Sequence, residues 1–293
     1  MTRGRTLAII NPAAGKGTGA KIAGTFAARM ANAGLSVDVV STPAPGEAAR
    51  LASHAVEDGY ERVIAVGGDG TANEVANGLV GTDVALGLFP IGSGNDFSRA
   101  LGYPRKRAQF GAFLASARTR RIDVGDVNGR VFLNAAGVGI DGYVAERVLA
   151  AARVVGPTLG YFVGALHGIA TFRPRQMRVV IDGEAREGPH MMVAACNGMY
   201  FGSGMHVAPN AKLDDGVFEV IVGGDLAKWD SLVALGKIYR GTHVNGRTIL
   251  AIRASSVDVE LPEPLTAQID GEIERMAGMH LRLRPRALTV LGG

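Results

Sequence analysis

The residues with the clearest potential for chemistry lie in the segment Val63 to Val80, which reads VIAVGGDGTANEVANGLV. Val63 to Val66 has the composition and length of a buried strand. The glycines of the following turn, Gly67 to Gly70, permit backbone angles and close approaches that side chains would block. A helix starting at this turn would direct its unpaired N–H groups at one place, which suits phosphate. Asp69 lies in the same turn, and an acid beside an anion makes sense when a cation accompanies it.

The helix after this turn is predicted by Thr71 and Glu74, which have the T-x-x-E spacing of a capping box. Its apolar face would consist of Ala72, Val75, Ala76 and Leu79. A glycine-rich turn between a strand and a helix is nevertheless common in α/β proteins, and Asp-Gly is an ordinary turn pair. This segment alone therefore leaves a plain structural turn as an open alternative to phosphate binding.

Strands and helices alternate through the first part of the chain. Further strands are predicted at Thr6–Ile10, Ser36–Val40 and Val84–Phe89. Helices are predicted from residues 11–17 to about Ala33 and from about Gly46 to Asp58. Such alternation implies a parallel sheet, and ligands bind beyond the carboxyl ends of parallel strands. Polar loops follow the predicted strands at Asn11, Thr42, Gly67 and Gly92, and their convergence favours a phosphate site.

The first of these loops, Asn11 to Gly17, is similar to the P-loop of Walker ATPases but does not match its pattern. Ile10 stands where the first glycine of G-x-x-x-x-G-K-[ST] should be, and Gly17 stands where Ser or Thr should be. A Walker ATPase is therefore excluded. A serine hydrolase is not supported, because neither Gly92-Ser93-Gly94 nor Gly202-Ser203-Gly204 gives G-x-S-x-G.

The sequence changes in character after Arg121, where a mainly antiparallel β domain is predicted. Strands at Ile122–Val127 and Val131–Ala136 flank Asn128-Gly129, which is a strong hairpin signal. A helical section is expected from Asp141 to about Phe172. The first domain would comprise residues 1–123, which residues 285–293 could join, and the second domain would comprise residues 124–284.

Other strands of the second domain are predicted from short apolar runs. Met177–Ile181, which turns at Asp182-Gly183, is expected to pair with Met191–Ala195. The remaining predicted elements are strands at Val217–Val222, Val257–Leu261 and Leu281–Leu291 and a helix near Leu226–Tyr239.

The composition is that of a globular chain, with 293 residues, 47% hydrophobic and 20% charged. A net charge of +4 fits an acidic partner such as a nucleotide phosphate or an anionic membrane, although scattered surface arginines explain it as well. An aromatic content of 6% offers little stacking surface to nucleic acid, so no nucleic-acid partner is expected. The single cysteine, Cys196, cannot form an internal disulfide, which favours a cytoplasmic location.

Two features bear on membranes. The uncharged stretch Val154 to Phe172 is almost long enough to span a bilayer, but Pro157 and several glycines interrupt it. Helical pieces that are buried or touch lipid are therefore expected instead of a span. Basic clusters at Arg105-Lys106-Arg107 and Arg118–Arg121 could supply attraction to an anionic surface.

Four motifs occur together in this chain: GGDGT-x-N-E-V at Gly67–Val75, GSGND at Gly92–Asp96, Asn11-Pro12 upstream and Asp270-Gly271-Glu272 near the end. As a set they closely resemble the diacylglycerol kinase catalytic family, which includes bacterial diacylglycerol and YegS-like lipid kinases and the sphingosine kinases. GGDG alone is a weak signal, because NAD kinases and phosphofructokinases share it. The resemblance spans nearly the whole chain and implies an α/β domain with a parallel sheet, NAD kinase/phosphofructokinase-like, followed by a mainly antiparallel β domain.

The resemblance implies roles for individual residues. ATP would be bound by Asn11, Pro12, Ala13, Ala14, Gly15, Thr42, Gly67, Gly68, Asp69, Gly70, Thr71, Ala72, Asn73, Glu74, Gly92, Ser93, Gly94 and Asn95. The catalytic Mg²⁺ would be bound, partly through water, by Asp69, Asp96 and Asp123. Asp270, with Glu272 close by, would orient the lipid hydroxyl and accept its proton. A second, structural Mg²⁺ would be bound by the Asp215 carboxylate and the carbonyls of Lys212 and Val217.

Each of these acids also has an ordinary structural interpretation. Asp270-Gly271 and Asp214-Asp215-Gly216 have the sequence of simple turns, and Asp123 fits the exposed face of a strand. Asp96 follows Asn95 near a helix start, where an acid stabilises the helix as a cap. Two positions depart from the family pattern: Ala14 replaces a usual Ser, which removes a hydroxyl near the phosphates, and Glu219 stands where Asp is common.

Together these observations favour an ATP-dependent lipid kinase that phosphorylates a membrane-lipid hydroxyl, with diacylglycerol as the default substrate and phosphatidic acid as its product. The enzyme would be cytoplasmic and dock transiently on the anionic inner face of the membrane. The nearest alternative is an NAD kinase-like enzyme with a soluble substrate, which would lack the GSGND segment. A non-catalytic lipid or nucleotide sensor is a second alternative, although all the expected acids are present. The identity of the lipid and the oligomeric state, including a homodimer, stay open.

Overall fold

Alternating strands and helices give way near Asp123 to strands joined by short turns, and the chain divides at this residue into two units. The structure is a computed structural model that describes residues 4–146 and 157–292. Unit 1 contains Met1–Asp123 and Pro285–Gly293. Unit 2 contains Val124–Arg284.

Unit 1 has an α/β architecture. Its strands are β1 (Thr6–Ile10), β2 (Asp38–Ser41), β3 (Arg62–Gly67), β4 (Ala85–Pro90) and the first part of β5 (Arg118–Val127). Its helices are α1 (Ala14–Asn32), α2 (Glu47–Glu57), α3 (Asp69–Leu79), α4 (Asp96–Ala100) and α5 (Phe110–Ser116), with a 3-10 turn at Arg107–Gln109.

The sheet of unit 1 is parallel, in the order β2-β1-β3-β4. Ile10 pairs with Val66, and Val66 pairs with Phe89, so these strands end side by side. The strands are buried along nearly their whole length, as is usual for a parallel sheet covered on both faces, and Phe26 of α1 packs edge-on against Phe89 at 5.0 Å between ring centroids. The loops that follow the three strands therefore meet at one edge of the sheet.

A segment from the far end of the chain completes this sheet. The long strand β16 (Glu272–Gly292) begins in unit 2, and its residues 285–292 belong to unit 1. There Val290 pairs with Leu86 in parallel, and the Tyr103 hydroxyl donates a hydrogen bond to the Leu291 carbonyl at 2.9 Å.

Unit 2 is mainly antiparallel. Besides parts of β5 and β16, its strands are β6 (Arg130–Phe132), β7 (Ala135–Gly139), β8 (Arg175–Ile181), β9 (Glu184–His190), β10 (Met192–Cys196), β11 (Tyr200–Phe201), β12 (Met205–His206), β13 (Phe218–Gly223), β14 (Ile249–Ala254) and β15 (Ser256–Ile269). Its described helical segments are α6 at residues 140–146, α7 (Pro157–Thr171) and α8 (Lys228–Ile238). The central strands run in the order β14-β13-β10-β7-β15.

The two faces of this sheet have different partners, because successive side chains of a strand point to opposite faces. One face carries a dense core that includes Val138, Val193 and Val220. The other face carries small residues such as Ala135 and Ala194, which lie in a second cluster with larger side chains from the loops and helices. The second face borders the cavity described below.

The predicted fold class is confirmed: parallel strands and helices form the first unit, and antiparallel strands form most of the second. One predicted strand pair is wrong. β8 pairs with β9, a strand missing from the prediction, and not with Met191–Ala195. Asp182 and Gly183 both have positive φ, 44° and 90°, so they form a tight turn that returns the chain directly alongside β8.

Two further expectations are corrected. The hairpin at Asn128-Gly129 forms, but its second strand ends at Phe132, and β7 leaves to pair with β10 and β15. α3 begins at Asp69, with Gly68 as its N-cap and no side-chain cap, so Thr71 and Glu74 do not form a capping box. For the predicted helical section Asp141 to Phe172, residues 147–156 lie outside the described residues.

Candidate active site

In unit 1, the loop after β1 is tied to the glycine turn after β3. The Asn11 side chain donates a hydrogen bond from Nδ2 to the Thr71 hydroxyl at 3.0 Å and accepts one at Oδ1 from the Ala13 amide at 3.0 Å. The Thr71 side chain is thereby used for loop positioning, which explains why it does not cap α3. Glu74 accepts a hydrogen bond at Oε2 from the Ala48 amide at 3.2 Å and so connects α3 to α2.

Glycines are required where the loops of unit 1 touch. A Cβ atom built on Gly92 would lie 2.6 Å from the Cα atom of Gly68, and one built on Gly15 would lie 2.5 Å from the Ile91 carbonyl oxygen. Gly15, Lys16 and Gly17 have positive φ values of 61°, 56° and 82°, a conformation that glycine adopts without strain. The backbone of three predicted ATP-binding segments is therefore in direct contact.

The predicted metal ligands Asp69 and Asp96 lie close together in unit 1. Asp69 accepts a hydrogen bond at Oδ1 from the Phe97 amide at 3.1 Å, at the start of α4. Burial, and then the nearby charge of Asp96, raise the pKa of Asp69 to about 6, against the opposing effect of the amides of residues 95–97. Asp96 is buried and forms a 2.6 Å ion pair with Arg99.

Asp123 is also buried, with 1% of its surface exposed, so the expectation of an exposed strand position is wrong. Its Oδ1 accepts a hydrogen bond from the Arg286 amide at 2.8 Å, within unit 1. No cluster of three or more His, Cys, Asp or Glu side chains forms a metal site within residues 4–146 and 157–292. The structure thus brings Asp69 and Asp96 together and gives Asp123 a structural partner.

The donor set at Asp69 and Asp96 nevertheless fits a divalent cation. Two neighbouring carboxylates repel each other, and a hard cation with oxygen ligands such as Mg²⁺ would relieve that repulsion. In the neighbouring loop, Asn95 has a positive φ of 53° and a buried Oδ1 atom that no described group contacts by a hydrogen bond. A polar ligand would supply such a partner.

The remaining residues predicted to bind the nucleotide lie in loops and helix starts of unit 1. Thr42 follows β2, and its amide bonds the Ile10 carbonyl at 2.9 Å. Asn73 is buried inside α3, where Asn77 donates to it, and Ser93 is exposed. The other residues predicted to bind ATP lie in the same three loops and helix starts, namely Pro12, Ala13, Ala14, Gly67, Gly70, Ala72 and Gly94.

In unit 2, Asp270 is held by backbone amides. Its carboxylate accepts hydrogen bonds from Leu133 N at 2.6 Å, Asn134 N at 2.8 Å and Ala135 N at 3.1 Å. Asp270 itself has a positive φ of 48° in the β15–β16 turn. A simple turn does not need three amides converging on one carboxylate, so the orientation of this side chain is tightly defined. Glu272, predicted beside it, forms an ion pair with Arg130 and is half-exposed.

The predicted structural Mg²⁺ loop contains one feature that fits a cation. Asp215 forms a 2.8 Å ion pair through Oδ2 with Arg253, while its Oδ1 is buried and no described group donates a hydrogen bond to it. Lys212 is exposed, Val217 is partly buried, and Gly216 has a positive φ of 77°. Glu219, a departure from the family pattern, accepts hydrogen bonds from Asn210 N and Nδ2 at 2.7 and 3.0 Å.

An apolar cavity of about 160 Å³ lies in unit 2 beside the Asp270 turn. Its walls are mostly aliphatic and include Ile140, Val144, Ile169, Ile221, Leu235 and Ile249. Gly271, the neighbour of Asp270, also lines it. Sequence patterns did not reveal this space, nor its polar lining residues Asp141 and Gln268, because aliphatic residues at helical and strand spacing are typical of any core.

Comparison with known proteins covers both units. Residues 5–127 match the diacylglycerol kinase catalytic domain, and residues 134–292 match the YegS C-terminal NAD kinase beta sandwich-like domain. A diacylglycerol kinase of Bacillus subtilis is 30% identical over 273 residues, covering 92% of this chain and 89% of the relative. A "Probable lipid kinase YegS-like" of Chromohalobacter salexigens is 31% identical over 267 residues, covering 89% and 86%. A crystal structure of a diacylglycerol kinase from Bacillus anthracis has the same fold, with a TM-score of 0.78, 23% identity and coverage of 100% and 98%.

An α/β unit that matches the diacylglycerol kinase catalytic domain, followed by this β sandwich, defines a class of kinases. The chain belongs to the diacylglycerol kinase family, as its motifs indicated.

Proposed function

We propose that this kinase transfers the γ-phosphate of ATP to a hydroxyl group of a membrane lipid. The observation that carries the proposal is the Asp270 carboxylate, fixed by three amides beside an apolar cavity in unit 2. A fixed carboxylate can orient and deprotonate a hydroxyl, and an apolar cavity suits an aliphatic chain. Diacylglycerol, the substrate named in the relatives, is the first lipid to test.

In this mechanism, the loops of unit 1 would bind the nucleotide through their amides, and Asp69 and Asp96 would hold the cation. Bound Mg²⁺ would neutralise charge on the phosphates. The lipid hydroxyl oxygen forms a bond to the γ-phosphorus while the bond between the γ-phosphorus and the β–γ bridging oxygen breaks, and ADP leaves with that oxygen. Asp270 orients the hydroxyl and accepts its proton late in the transfer, when the oxygen has become acidic. The structural cation would be held at Asp215.

The test is transfer of labelled γ-phosphate to lipids in detergent micelles, with diacylglycerol, monoacylglycerol, sphingosine and phosphatidylglycerol as acceptors and NAD as the soluble control. Label on a lipid supports the proposal and identifies the substrate. Label on NAD alone would move the protein to the NAD kinase-like alternative. ATP binding without label on any acceptor would favour the sensor.

Access to a lipid requires contact with a membrane, and unit 2 offers a surface for it. Among the described residues, six of the seven exposed large apolar side chains lie on α7, on α8 or directly after α8: Val163, Leu166, Trp229, Leu232, Val233 and Tyr239. We name these six the α7–α8 patch. Trp and Tyr are typical of the membrane interface, and Lys228, Lys237 and Arg240 lie in the same region.

The opposite sides of α7 and α8 line the apolar cavity through residues such as Ile169 and Leu235. A lipid surface on the α7–α8 patch would therefore be separated from the cavity by one layer of helices. No helix within the described ranges is long and apolar enough to cross a bilayer. The exposed apolar side chains of the α7–α8 patch and the basic residues beside them support our proposal of peripheral docking on a membrane. The basic cluster at Arg118–Arg121 supports it less, because Arg121 pairs with Asp83.

A further inference from the structure

Asp141 in α6 is a buried acid that the proposed mechanism does not use. Both of its carboxylate oxygens are buried, and no group among the described residues donates a hydrogen bond to either. Buried polar atoms in native proteins nearly always have partners, and an unpaired buried carboxylate is costly. Burial raises the pKa of Asp141 to about 7, although the amides of Asp141 and Gly142 lie near enough to oppose the shift. Such a group needs an explanation.

The position of the carboxylate follows from the sheet beneath it. A Cβ atom built on Gly137 of β7 would lie 2.4 Å from Asp141 Oδ2 and 2.8 Å from the Ala194 Cβ atom. Glycine at this position therefore provides the space that the carboxylate occupies. Gln268 of β15 pairs with Gly137, so its side chain lies on the same face of the sheet.

Gln268 connects Asp141 to the turn that holds the proposed base. Its Oε1 accepts a hydrogen bond from the Gly271 amide at 3.0 Å, next to Asp270. Its Nε2 is buried, and no described group accepts a hydrogen bond from it. Asp141, Gln268 and Gly271 all line the apolar cavity. An acceptor and a donor that have no hydrogen-bond partner among the described residues thus line the cavity, near the proposed base.

This pair has the polarity of a hydroxyl-binding site. A hydroxyl group can donate to the Asp141 carboxylate and accept from Gln268 Nε2 at the same time. An ammonium group would satisfy only the carboxylate, and an ester oxygen would satisfy only the amide. We propose that Asp141 and Gln268 form a hydroxyl-binding subsite, which selects a lipid with a second free hydroxyl near the one that is phosphorylated. The inference rests on the proposed lipid kinase function.

The consequence for substrate choice is specific. A monoacylglycerol presents a second free hydroxyl, whereas 1,2-diacylglycerol presents an ester oxygen there and leaves Asp141 unpaired. The sharpest comparison is between 1-monooleoylglycerol and its 2-O-methyl ether, because the ether keeps the primary hydroxyl and removes only the second donor. A hydrogen bond to a charged group predicts that kcat/KM is about 10- to 100-fold higher for the free hydroxyl.

The test uses the full chain and three variants. In Asp141→Leu the preference for the free hydroxyl should fall to within about threefold, and Asp141→Asn should fall between Asp141→Leu and the wild type. Asp258→Asn, which removes a partly exposed carboxylate paired with Arg282, is the matched control and should keep the preference. An equal rate of the wild type on the two lipids, or an unchanged preference in Asp141→Leu, would overturn the subsite. If the leucine variant does not fold, Asp141→Asn serves as the test, and an unchanged preference for the free hydroxyl in this variant would overturn the subsite.

A binding measurement separates this inference from the kinase function. Calorimetry without ATP, on 1-monooctanoylglycerol and its 2-O-methyl ether below their critical micelle concentrations, should show the same preference. A preference in binding without phosphate transfer to any lipid would keep the subsite and refute the kinase proposal. Equal binding of the two compounds, with transfer intact, would refute the subsite alone.

Discussion

The two candidate binding regions of this protein are built by different means. In unit 1, backbone segments approach each other so closely that only glycine fits, as at Gly68 and Gly92. In unit 2, aliphatic side chains surround a cavity, and a few polar side chains that include Asp141 and Gln268 also line it. The first design constrains residue type at many adjacent positions, whereas the second tolerates many hydrophobic residues of suitable volume. A motif can therefore reveal the first region but not the second.

The largest effect should come from Asp270, a group of unit 2 that the motifs did reveal. Asp270→Asn removes the proposed proton acceptor, and we expect kcat to fall about 10²- to 10⁴-fold with ATP binding retained. An amide nitrogen placed among three amide donors should also lower stability by about 1–2 kcal/mol, without preventing folding. Phosphate transfer and calorimetric ATP binding measure the two properties. Glu274→Gln, which changes a half-exposed acid nearby, serves as the control. Full activity of Asp270→Asn would show that Asp270 is not the catalytic base.

The second prediction concerns the pH dependence of stability at Asp141. Its pKa is raised to about 7, so the folded chain binds this proton more tightly than the unfolded chain. Stability should therefore fall as pH rises from about 4 to about 7, by an upper figure of about 4 kcal/mol. Cys196 and Glu219 are the titratable side chains on the neighbouring strands, and His243 lies across the cavity.

Asp141→Asn should remove this dependence: urea unfolding should show the variant more stable than the wild type at pH 8 and similar to it at pH 4.5. Glu219→Gln is the matched comparison, because Glu219 is also an acid buried in unit 2 but accepts two hydrogen bonds, so its loss should destabilise the protein. A lower stability of Asp141→Asn at pH 8 would mean that the carboxylate has a structural partner.

The third prediction tests the close approach in unit 1. Gly92→Ala would place a Cβ atom 2.6 Å from the Gly68 backbone, so the two loops must separate. We expect at least tenfold weaker ATP binding and a stability loss of about 1–3 kcal/mol. Gly24→Ala is the control, since a Cβ at this α1 position meets no atom within 4 Å and alanine favours a helix. Unchanged ATP binding in Gly92→Ala would show that these two loops do not bind the nucleotide.

The smallest effect should come from the α7–α8 patch. Trp229→Glu, at a side chain that is 73% exposed, should weaken co-sedimentation with phosphatidylglycerol vesicles about 5- to 20-fold and leave the folded state unchanged. Val39→Glu in β2 introduces the same charge at the exposed apolar residue outside the patch and should have little effect. Equal losses of vesicle binding in both variants would show that binding depends on the overall charge of the protein and not on the α7–α8 patch.

Sequence alone predicted the fold class and the loop motifs because both leave strong local signals. The strands β1, β3 and β4 are nearly continuous apolar runs, and the glycines at 67, 68 and 92 have a steric cause. The strand β9 was missed because its residues are mostly exposed and polar and because it contains Pro189. The start of α3 was placed three residues late, since Thr71 and Glu74 have the spacing of a capping box but bond to Asn11 and Ala48 instead, and the N-cap is Gly68.

The candidate site was predictable only in part, for a related reason. Nothing in the local sequence shows that the amides of residues 133–135 converge on Asp270, because the two segments are more than 130 positions apart. The same holds for Asp141. In the sequence it resembles an ordinary acid in the first turn of a helix, and only the structure shows that it lies over Gly137, which pairs with Gln268. The role of a side chain that depends on contacts with other strands can be recognised only in the folded structure.

The passage of β16 into unit 1 has a consequence for biosynthesis. Residues 285–292 supply a strand next to β4, the acceptor for the Tyr103 hydroxyl and the amide that bonds Asp123. A ribosome makes these residues only after it has made all of unit 2. Domains usually fold in the order in which they are synthesised, but here unit 1 waits for a strand that is translated after unit 2. The sheet of unit 1 can therefore be completed only once unit 2 has been made.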